Sequence, residues 1–395
     1  YVSEPVMAAT WNAALLEELG KAMGEEGILG DKATGQPYSS IYAPGVNIHR
    51  SPFGGRCSEY FSEDPFLSGV MAGAEIRGLQ SKGVVPMLKH FAANNQEHRR
   101  MSSDSVVDER TLREIYLPAF ETAIKEAQPW TVMCSYNKIN GTYAADNEWL
   151  LTDVLRRDWG FEGFVMTDWG AINDRVQGIR AGLELEMPGP TGANDRKIVD
   201  AVRSGALDEA LLDQACERIL KVLYRYYDNR TGGTFDRDAD HEKATAIETE
   251  CAVLLQNNGV LPLKAGQKVV YLGEYAEKPR YQGGGSSHIN SSKVVSALDA
   301  AKAKNRNVEY VKGFPGDRDE PGEAELAKAV EAARGADVAV IFAGLPDSFE
   351  SEGYDRANMD MPQCQNKLIV AVAAAQPNTV VVLHNGAPVE MPWAD

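Results

Sequence analysis

Cysteine is scarce in this chain: five of 395 residues, at positions 57, 134, 216, 251 and 364. An odd, scattered set offers neither a disulfide framework nor the paired spacing of a zinc site. It favours a reducing compartment, cytoplasmic over periplasmic or secreted. The six histidines (49, 90, 98, 241, 288 and 384) show no metal-ligand spacing either. No apolar run approaches the roughly 18 residues of a membrane span. Positive charge is short: 40 Lys and Arg against 57 Asp and Glu leave a net charge of −17. That balance argues against nucleic acid and anionic membrane surfaces as partners and suits a neutral substrate. No solenoid period and no low-complexity tract is present. The run Gly283-Gly284-Gly285-Ser286-Ser287 fits neither the dinucleotide nor the P-loop spacing, so phosphate binding is disfavoured.

What is present is a chain long enough for two domains. Up to residue 227, apolar strand-like runs (Ile41 to His49, Val84 to Phe91, Thr131 to Tyr136, Gly163 to Asp168, Gly182 to Met187) alternate with amphipathic stretches. The latter are Trp11 to Gly30, Leu67 to Lys82, Glu109 to Ala127, Glu148 to Trp159, Asp195 to Gly205 and Leu207 to Tyr227. Alternation of this kind means parallel strands with helices outside, and in a (β/α) barrel the chemistry sits at the C-terminal strand ends. Those ends carry Arg56 (after a short loop), Lys89, His90, Tyr136 and Asp168. A polar stretch from residue 228 reads as a linker, placed at 228–246. A second α/β layer follows over 247–395. Its strands are Val269 to Gly273, Val308 to Val311, Asp337 to Ala343 and Thr379 to His384; its helices are Ser292 to Ala303, Glu323 to Arg334 and Gln363 to Ala375. The expected architecture is a (β/α)8-like, TIM-type barrel over 1–227, incomplete, and then an α/β sandwich domain with a mostly parallel sheet.

Two carboxylates stand out. Gly163-Phe164-Val165-Met166-Thr167-Asp168-Trp169-Gly170 reads as a buried strand ending in a charge, with an aromatic wall beside it and a glycine that turns the backbone away. A carboxylate nucleophile facing a sugar ring needs such a setting. A plain helix-capping Asp explains the local pattern equally well. The second lies in Phe349-Glu350-Ser351-Glu352-Gly353-Tyr354-Asp355-Arg356, a loop at a strand's C-terminal end, the edge where open α/β sheets face ligands. On composition alone it reads more readily as a solvated loop. Arg356 is expected to pair with Asp355 and stiffen it.

The order of motifs resembles glycoside hydrolase family 3, the β-glucosidase family, over almost the whole chain. The resemblance rests on Ala43-Pro44-Gly45-Val46-Asn47-Ile48-His49-Arg50 running into Gly54-Gly55-Arg56, and on Glu59-Tyr60-Phe61-Ser62-Glu63-Asp64-Pro65. Lys89-His90-Phe91, Ser135-Tyr136-Asn137, Asn140-Gly141 and Thr167-Asp168-Trp169-Gly170 follow in family order. The second domain adds Leu254-Leu255-Gln256-Asn257, Leu261-Pro262-Leu263 and the Glu350 to Arg356 loop.

The resemblance implies a retaining, exo-acting β-glucosidase that removes terminal non-reducing β-D-glucose from cellobiose, cello-oligosaccharides and aryl or alkyl β-glucosides. In it Asp168 matches the nucleophile and Glu352 the general acid/base, with Glu350 the fallback in the same loop. Arg56, Lys89, His90 and Tyr136 match residues that grip sugar hydroxyls, and Trp169 matches a pocket wall. The mechanism needs two carboxyl groups ~5–5.5 Å apart, and an acid kept protonated by burial or a neighbouring charge. It needs no cofactor and no metal, because two carboxylates and water suffice. The implied partner is a small-molecule carbohydrate, with no nucleic acid and no membrane; a homodimer is left open. Departures are informative. The family's first-strand Asp has no counterpart here and is expected upstream of Tyr1, with the remainder of the second domain downstream of Asp395. Ala92-Ala93-Asn94-Asn95-Gln96-Glu97-His98 lacks the Pro-Gly-His character of the N-acetylglucosaminidase branch. The rivals are a β-xylosidase or α-L-arabinofuranosidase of the same fold, a non-catalytic carbohydrate-binding or inactive fragment, and an aldolase-like barrel using Lys89, for which no phosphate site is present.

Overall fold

The structure, a computed structural model, describes residues 1–29, 38–189, 192–230, 234–314, 319 and 322–394. Gly30, which ends the first expected helix, and Thr231-Gly232-Gly233 of the expected linker lie outside the described residues. Two units emerge. One holds Tyr1–Arg50 and Tyr60–Ala252; the other holds Val253–Asp395 together with the nine residues Ser51–Glu59.

The first unit is built on parallel strands β1 (Ser40–Ile41), β2 (Val85–Phe91), β4 (Thr131–Cys134) and β7 (Phe164–Thr167), side by side in chain order. Neighbours in space that are also neighbours in sequence are the mark of a singly wound barrel wall. Its short β3 (Asp104–Ser105), β5 (Lys138–Ile139) and β6 (Thr142–Tyr143) form a separate three-stranded sheet. Both faces of the parallel wall are covered, which is why its strands read as continuous apolar runs. Val132, Cys134 and Val165 pack with Leu88, Phe91, Phe120 and Leu16 on one side. Met133, Phe164 and Met166 pack with Val85, Trp130 and Val222 on the other. The outer helices start where the sequence supplies caps. Asp64 accepts from the amides of Phe66 and Leu67, and Pro65 takes the first helical position of Pro65–Ser81. The Ser62 to Pro65 motif is thus, in part, a helix start. Within that helix Glu75 is 1% exposed, and burial pushes its carboxyl up to about 8, aided by the charge of Glu4.

Several expected elements are altered, each for a visible reason. The strand read over Ile41 to His49 is regular only at β1, because Pro44 lacks an amide to donate. Beyond it the chain still tracks β2, with the Met87 and Lys89 amides donating to Ala43 and Pro44 and the Val46 amide to Lys89. The helix read over Glu109 to Ala127 breaks into Glu109–Thr111, a π turn at Leu112–Tyr116 and Pro118–Ala127, since Pro118 cannot continue the helical ladder. Gly182 to Met187 forms one bridge, Leu185 to Met166, rather than a strand. The linker reading is corrected. Its second half belongs to a helix, Arg237–Cys251, capped by Asp236, and the division between units falls after Ala252.

The second unit has a four-stranded, all-parallel sheet: β8 (Val269–Leu272), β9 (Val308–Val311), β10 (Val338–Gly344) and β11 (Thr379–His384), in the order β11-β10-β8-β9. The first strand sits in the interior, with later strands on both sides, so the winding reverses between β8 and β10. Loops leaving those two strands diverge, and such a switch point opens a crevice at the carboxyl edge. Helices Glu323–Arg334 and Gln363–Ala375 follow the expected spans. The helix expected from Ser292 begins only at Ala297, where Ser296 and Asp299 close a capping box. All five cysteines are free thiols.

Candidate functional site

Each unit carries its own cluster of polar side chains, and each is built differently. In the first unit, β7 is buried along its length and delivers Asp168 at its end. The Asp168 amide donates to the Cys134 carbonyl at 3.2 Å, which extends the β4–β7 ladder by one residue. Thr167 is pinned by an exchange with Met187: its hydroxyl donates to the Met187 carbonyl at 3.2 Å and accepts from the Met187 amide at 2.7 Å. Gly170 then turns at φ 81°. The Asp168 side chain is 12% exposed, and its Oδ2 lies 3.6 Å from His90 Nε2.

His90 is itself buried and doubly held. Its amide donates to Asn47 Oδ1 at 2.7 Å while Asn47 Nδ2 donates back to its carbonyl at 3.0 Å. His90 Nδ1 is 3.3 Å from the Tyr60 hydroxyl. With that hydroxyl donating to Nδ1, the ring proton sits on Nε2 and faces the Asp168 carboxylate. Trp169 is 42% exposed and meets Tyr42 edge to face, centroids 5.4 Å apart. Tyr136 is buried under the Arg100 guanidinium, 4.7 Å above its ring, and Arg100 is itself paired with Glu97 at 2.8 Å. Lys89 is half-buried in β2. A carboxylate at a strand end, a fixed imidazole beside it and a half-exposed indole are groups that can attack, hydrogen-bond and stack on a sugar ring.

In the second unit, Arg56 packs not at a barrel strand end, as the sequence suggests, but among residues of the β10 loop. It is 4% exposed and locked by a two-point bond to Glu59, with Nε to Oε1 at 3.1 Å and Nη2 to Oε2 at 2.6 Å. Its remaining nitrogen, Nη1, lies 4.0 Å from Glu352 Oε1. Glu352 Oε2 accepts from the Ser286 amide at 2.7 Å. The side chain of Glu352 is 15% exposed, so it reaches solvent.

The glycines explain how this loop is shaped. Gly285 turns at φ 114°, and a β-carbon there would fall 2.4 Å from the Glu352 β-carbon. A β-carbon at Gly55 would fall 1.8 Å from the Tyr354 carbonyl. The Gly283 to Gly285 run, weighed in sequence as a phosphate cradle, is a close backbone seat for the Glu352 loop.

Glu350 and Arg356 take other positions than expected. The Glu350 side chain has no exposed area and cannot meet a substrate; its Oε2 accepts from the Gly386 amide at 3.2 Å and pairs with Arg280 Nη1 at 3.3 Å. It ties together the segments after β8, β10 and β11. Arg356 donates to the carbonyls of Pro388 and Asp360, while Asp355 Oδ1 accepts from the Gly55 amide at 3.2 Å. The loop is therefore held by bonds to its surroundings rather than by an internal Arg356–Asp355 pair. Sequence reasoning gave no individual role to Glu59, Tyr60 and Ser286, which it met only inside longer motifs, and it did not single out Arg280; Glu59, three residues after Arg56, left a signal in its spacing. A cavity of about 840 Å³ beside helix Glu209–Asn229, lined by Arg156, Phe161, Arg218 and Lys221, contains none of these groups.

Comparison with known proteins places these features. The model of the glycosyl hydrolase family 3 N terminal domain matches residues 3–222, and that of the C-terminal domain matches residues 252–395. The thermostable beta-glucosidase B of Acetivibrio thermocellus is 50% identical over 98% of this chain and 51% of its own length. An exo-alpha-(1->6)-L-arabinopyranosidase of Bifidobacterium breve is 47% identical, over 98% of this chain and 52% of its own. The crystal structure of a GH3 beta-glucosidase from Bifidobacterium adolescentis superposes with a TM-score of 0.94 at 45% identity, covering 100% of this chain and 58% of that one. The chain thus spans about half the length of these curated relatives. Its TIM-like barrel region and α/β sandwich region both match, and the chain belongs to glycosyl hydrolase family 3.

Proposed function

We propose that the full-length protein is a retaining, exo-acting β-glucosidase that works by double displacement, with Asp168 as nucleophile and Glu352 as general acid/base. The observation that carries this reading is the presence of both carboxylates in family order, in a chain 50% identical across 98% of its length to a beta-glucosidase. Asp168 would attack the anomeric carbon while protonated Glu352 gives its proton to the departing glycosidic oxygen. Glu352 would then draw a proton from water as the glycosyl-enzyme is hydrolysed. His90, ordered by Asn47 and Tyr60, would steady the Asp168 carboxylate, a reading supported by the 3.6 Å between them. Arg56 and Lys89 would donate to ring hydroxyls, and Trp169 would wall the pocket. Residues 1–227 are read as the part carrying the nucleophile and 247–395 as the part carrying the acid/base.

The test is paired. A 2-fluoro glucoside should label the parent protein at Asp168, and Asp168→Asn should take no label. Glu352→Ala should regain activity on an activated aryl glucoside when azide is added. Label on Asp168→Asn, or azide rescue of Glu350→Ala in place of Glu352→Ala, rejects the assignment.

A second reading is favoured by the arabinopyranosidase relative at 47% identity: a pentopyranoside as substrate. A panel of nitrophenyl glycosides separates the two. Glucoside turnover far above that of α-L-arabinopyranoside supports the first reading, and the reverse supports the second.

A further inference from the structure

The Arg56–Glu352 approach sets a physical problem for a general acid. A guanidinium 4.0 Å from a carboxylate favours its charged form, as does the Ser286 amide on its other oxygen. An acid must instead hold a proton until the bond breaks. The structure supplies a counterweight. Glu59, 5% exposed, faces the same guanidinium through two parallel bonds and returns a negative charge to the cluster. The short turn Cys57–Glu59 sets the three-residue spacing that makes this two-point contact possible.

Charged groups on the segments that hold Glu352 have contacts of their own. On its own loop, Glu350 pairs with Arg280, and Asp355 accepts from the Gly55 amide. Arg280 also reaches Asp347 at 3.0 Å. From the segment Ser51–Glu59, Arg56 is the cation that reaches Glu352, with Glu59 behind it. From the glycine-rich loop the contact is the backbone amide of Ser286.

We infer that Glu59 is a positioning residue for the reaction: it holds Arg56 in place and offsets its charge, so that Glu352 retains its proton near neutral pH. This rests on the assignment of Glu352 as acid/base under Proposed function. Two consequences separate it from a merely structural role. Without the Glu59 charge, Arg56 acts on Glu352 uncompensated, and Glu352 gives up its proton at lower pH. Without Arg56, the two-point bond is gone and Glu59 acts on Glu352 only through space from behind the missing guanidinium, so its removal matters less.

The experiment is a set of pH profiles of kcat/KM on the full-length protein. Glu59→Gln should move the alkaline limb to lower pH, by about one unit. Glu59→Asp, which restores the charge with a shorter reach, should recover most of that shift. Arg56→Gln should keep the limb at or above its parent position, at the cost of a raised KM. The limb of the double variant Arg56→Gln/Glu59→Gln should lie within about a few tenths of a unit of that of Arg56→Gln alone, the remainder being the through-space effect of the Glu59 charge. That last comparison stands even if Glu59→Gln by itself fails to fold. An unmoved limb in folded Glu59→Gln, or a double variant whose limb falls about a full unit below that of Arg56→Gln, overturns the inference. Azide rescue of Glu352→Ala, measured alongside, keeps the two questions apart. If rescue occurs and the limbs do not move, only the role of Glu59 fails. If rescue is absent, the acid/base assignment itself has failed.

Discussion

Asp168 and Glu352 are both carboxylates at the C-terminal side of a parallel sheet, yet they are held by opposite means. Asp168 is an extension of the sheet itself: its amide continues the ladder from β4, and the strand beneath it is buried on both faces. Its position follows from the core. Glu352 lies eight residues beyond the end of β10, in a loop, and its position follows from close backbone contacts at Gly55 and Gly285 and from single hydrogen bonds. A strand end suits the role proposed for Asp168, a nucleophile that must present one atom to one carbon. A loop suits the role proposed for Glu352, a group that must give a proton and later take one back, where small adjustment is tolerated. The expectation is that the first site fails through the core and the second through the backbone of its loop.

Four perturbations probe that contrast. The largest effect should come from Asp168→Asn, with kcat falling by more than about 10⁴-fold while the thermal midpoint barely moves, because the ladder bond to Cys134 uses the backbone. Steady-state rates and calorimetry check both parts. Next, Glu352→Ala should lose about 10²- to 10⁴-fold on substrates with poor leaving groups and far less on dinitrophenyl glucosides, which need little protonation. Gly285→Ala should imitate a weakened acid, with a loss on the order of 10- to 10²-fold confined to poor leaving groups, since the new β-carbon displaces Glu352 and leaves the β7 end untouched. An equal loss on both substrate classes would mean that the glycine seat does more than place Glu352.

The smallest effect on turnover, and a separate one on stability, is expected at Glu75. Its carboxyl is raised from 4.5 to about 8 in the folded chain, so the folded state holds a proton that the unfolded state releases. Stability from this group is therefore full below about pH 4.5 and lost as pH climbs through about 8. Glu75→Gln should match the parent in acid and exceed it by a few kcal/mol in mild alkali, with kcat unchanged at pH 5. A thermal-midpoint series across pH decides it.

The strands of the second sheet were legible because each is a short, mostly apolar run of strand length; Thr379–His384 and Val308–Val311 coincide with their expected spans, although Glu309 is exposed and only Val338–Gly344 is buried throughout. Helix Arg237–Cys251 was not, because its inward residues are few and one of them is Asp240, so no apolar period marks it. Its capping Asp236 was the readable sign. The two glutamates of the β10 loop stand two residues apart and look alike in sequence, and only burial separates the one paired with Arg280 from the one that reaches solvent. Arg280 is far from Glu350 in the chain, and nothing near either residue announces the pair. The Arg56 to Glu59 spacing was visible and its meaning was not, because a three-residue interval in a loop becomes informative only when both side chains are seen to be buried.

The nine residues from Ser51 to Glu59 are numbered with one unit and packed with the other. A ribosome makes Gly55 300 residues before Asp355, whose carboxylate it meets in the β10 loop. A gene cut at Ala252 would separate these nine residues from their packing partners, so the two halves of this polypeptide are not interchangeable cassettes.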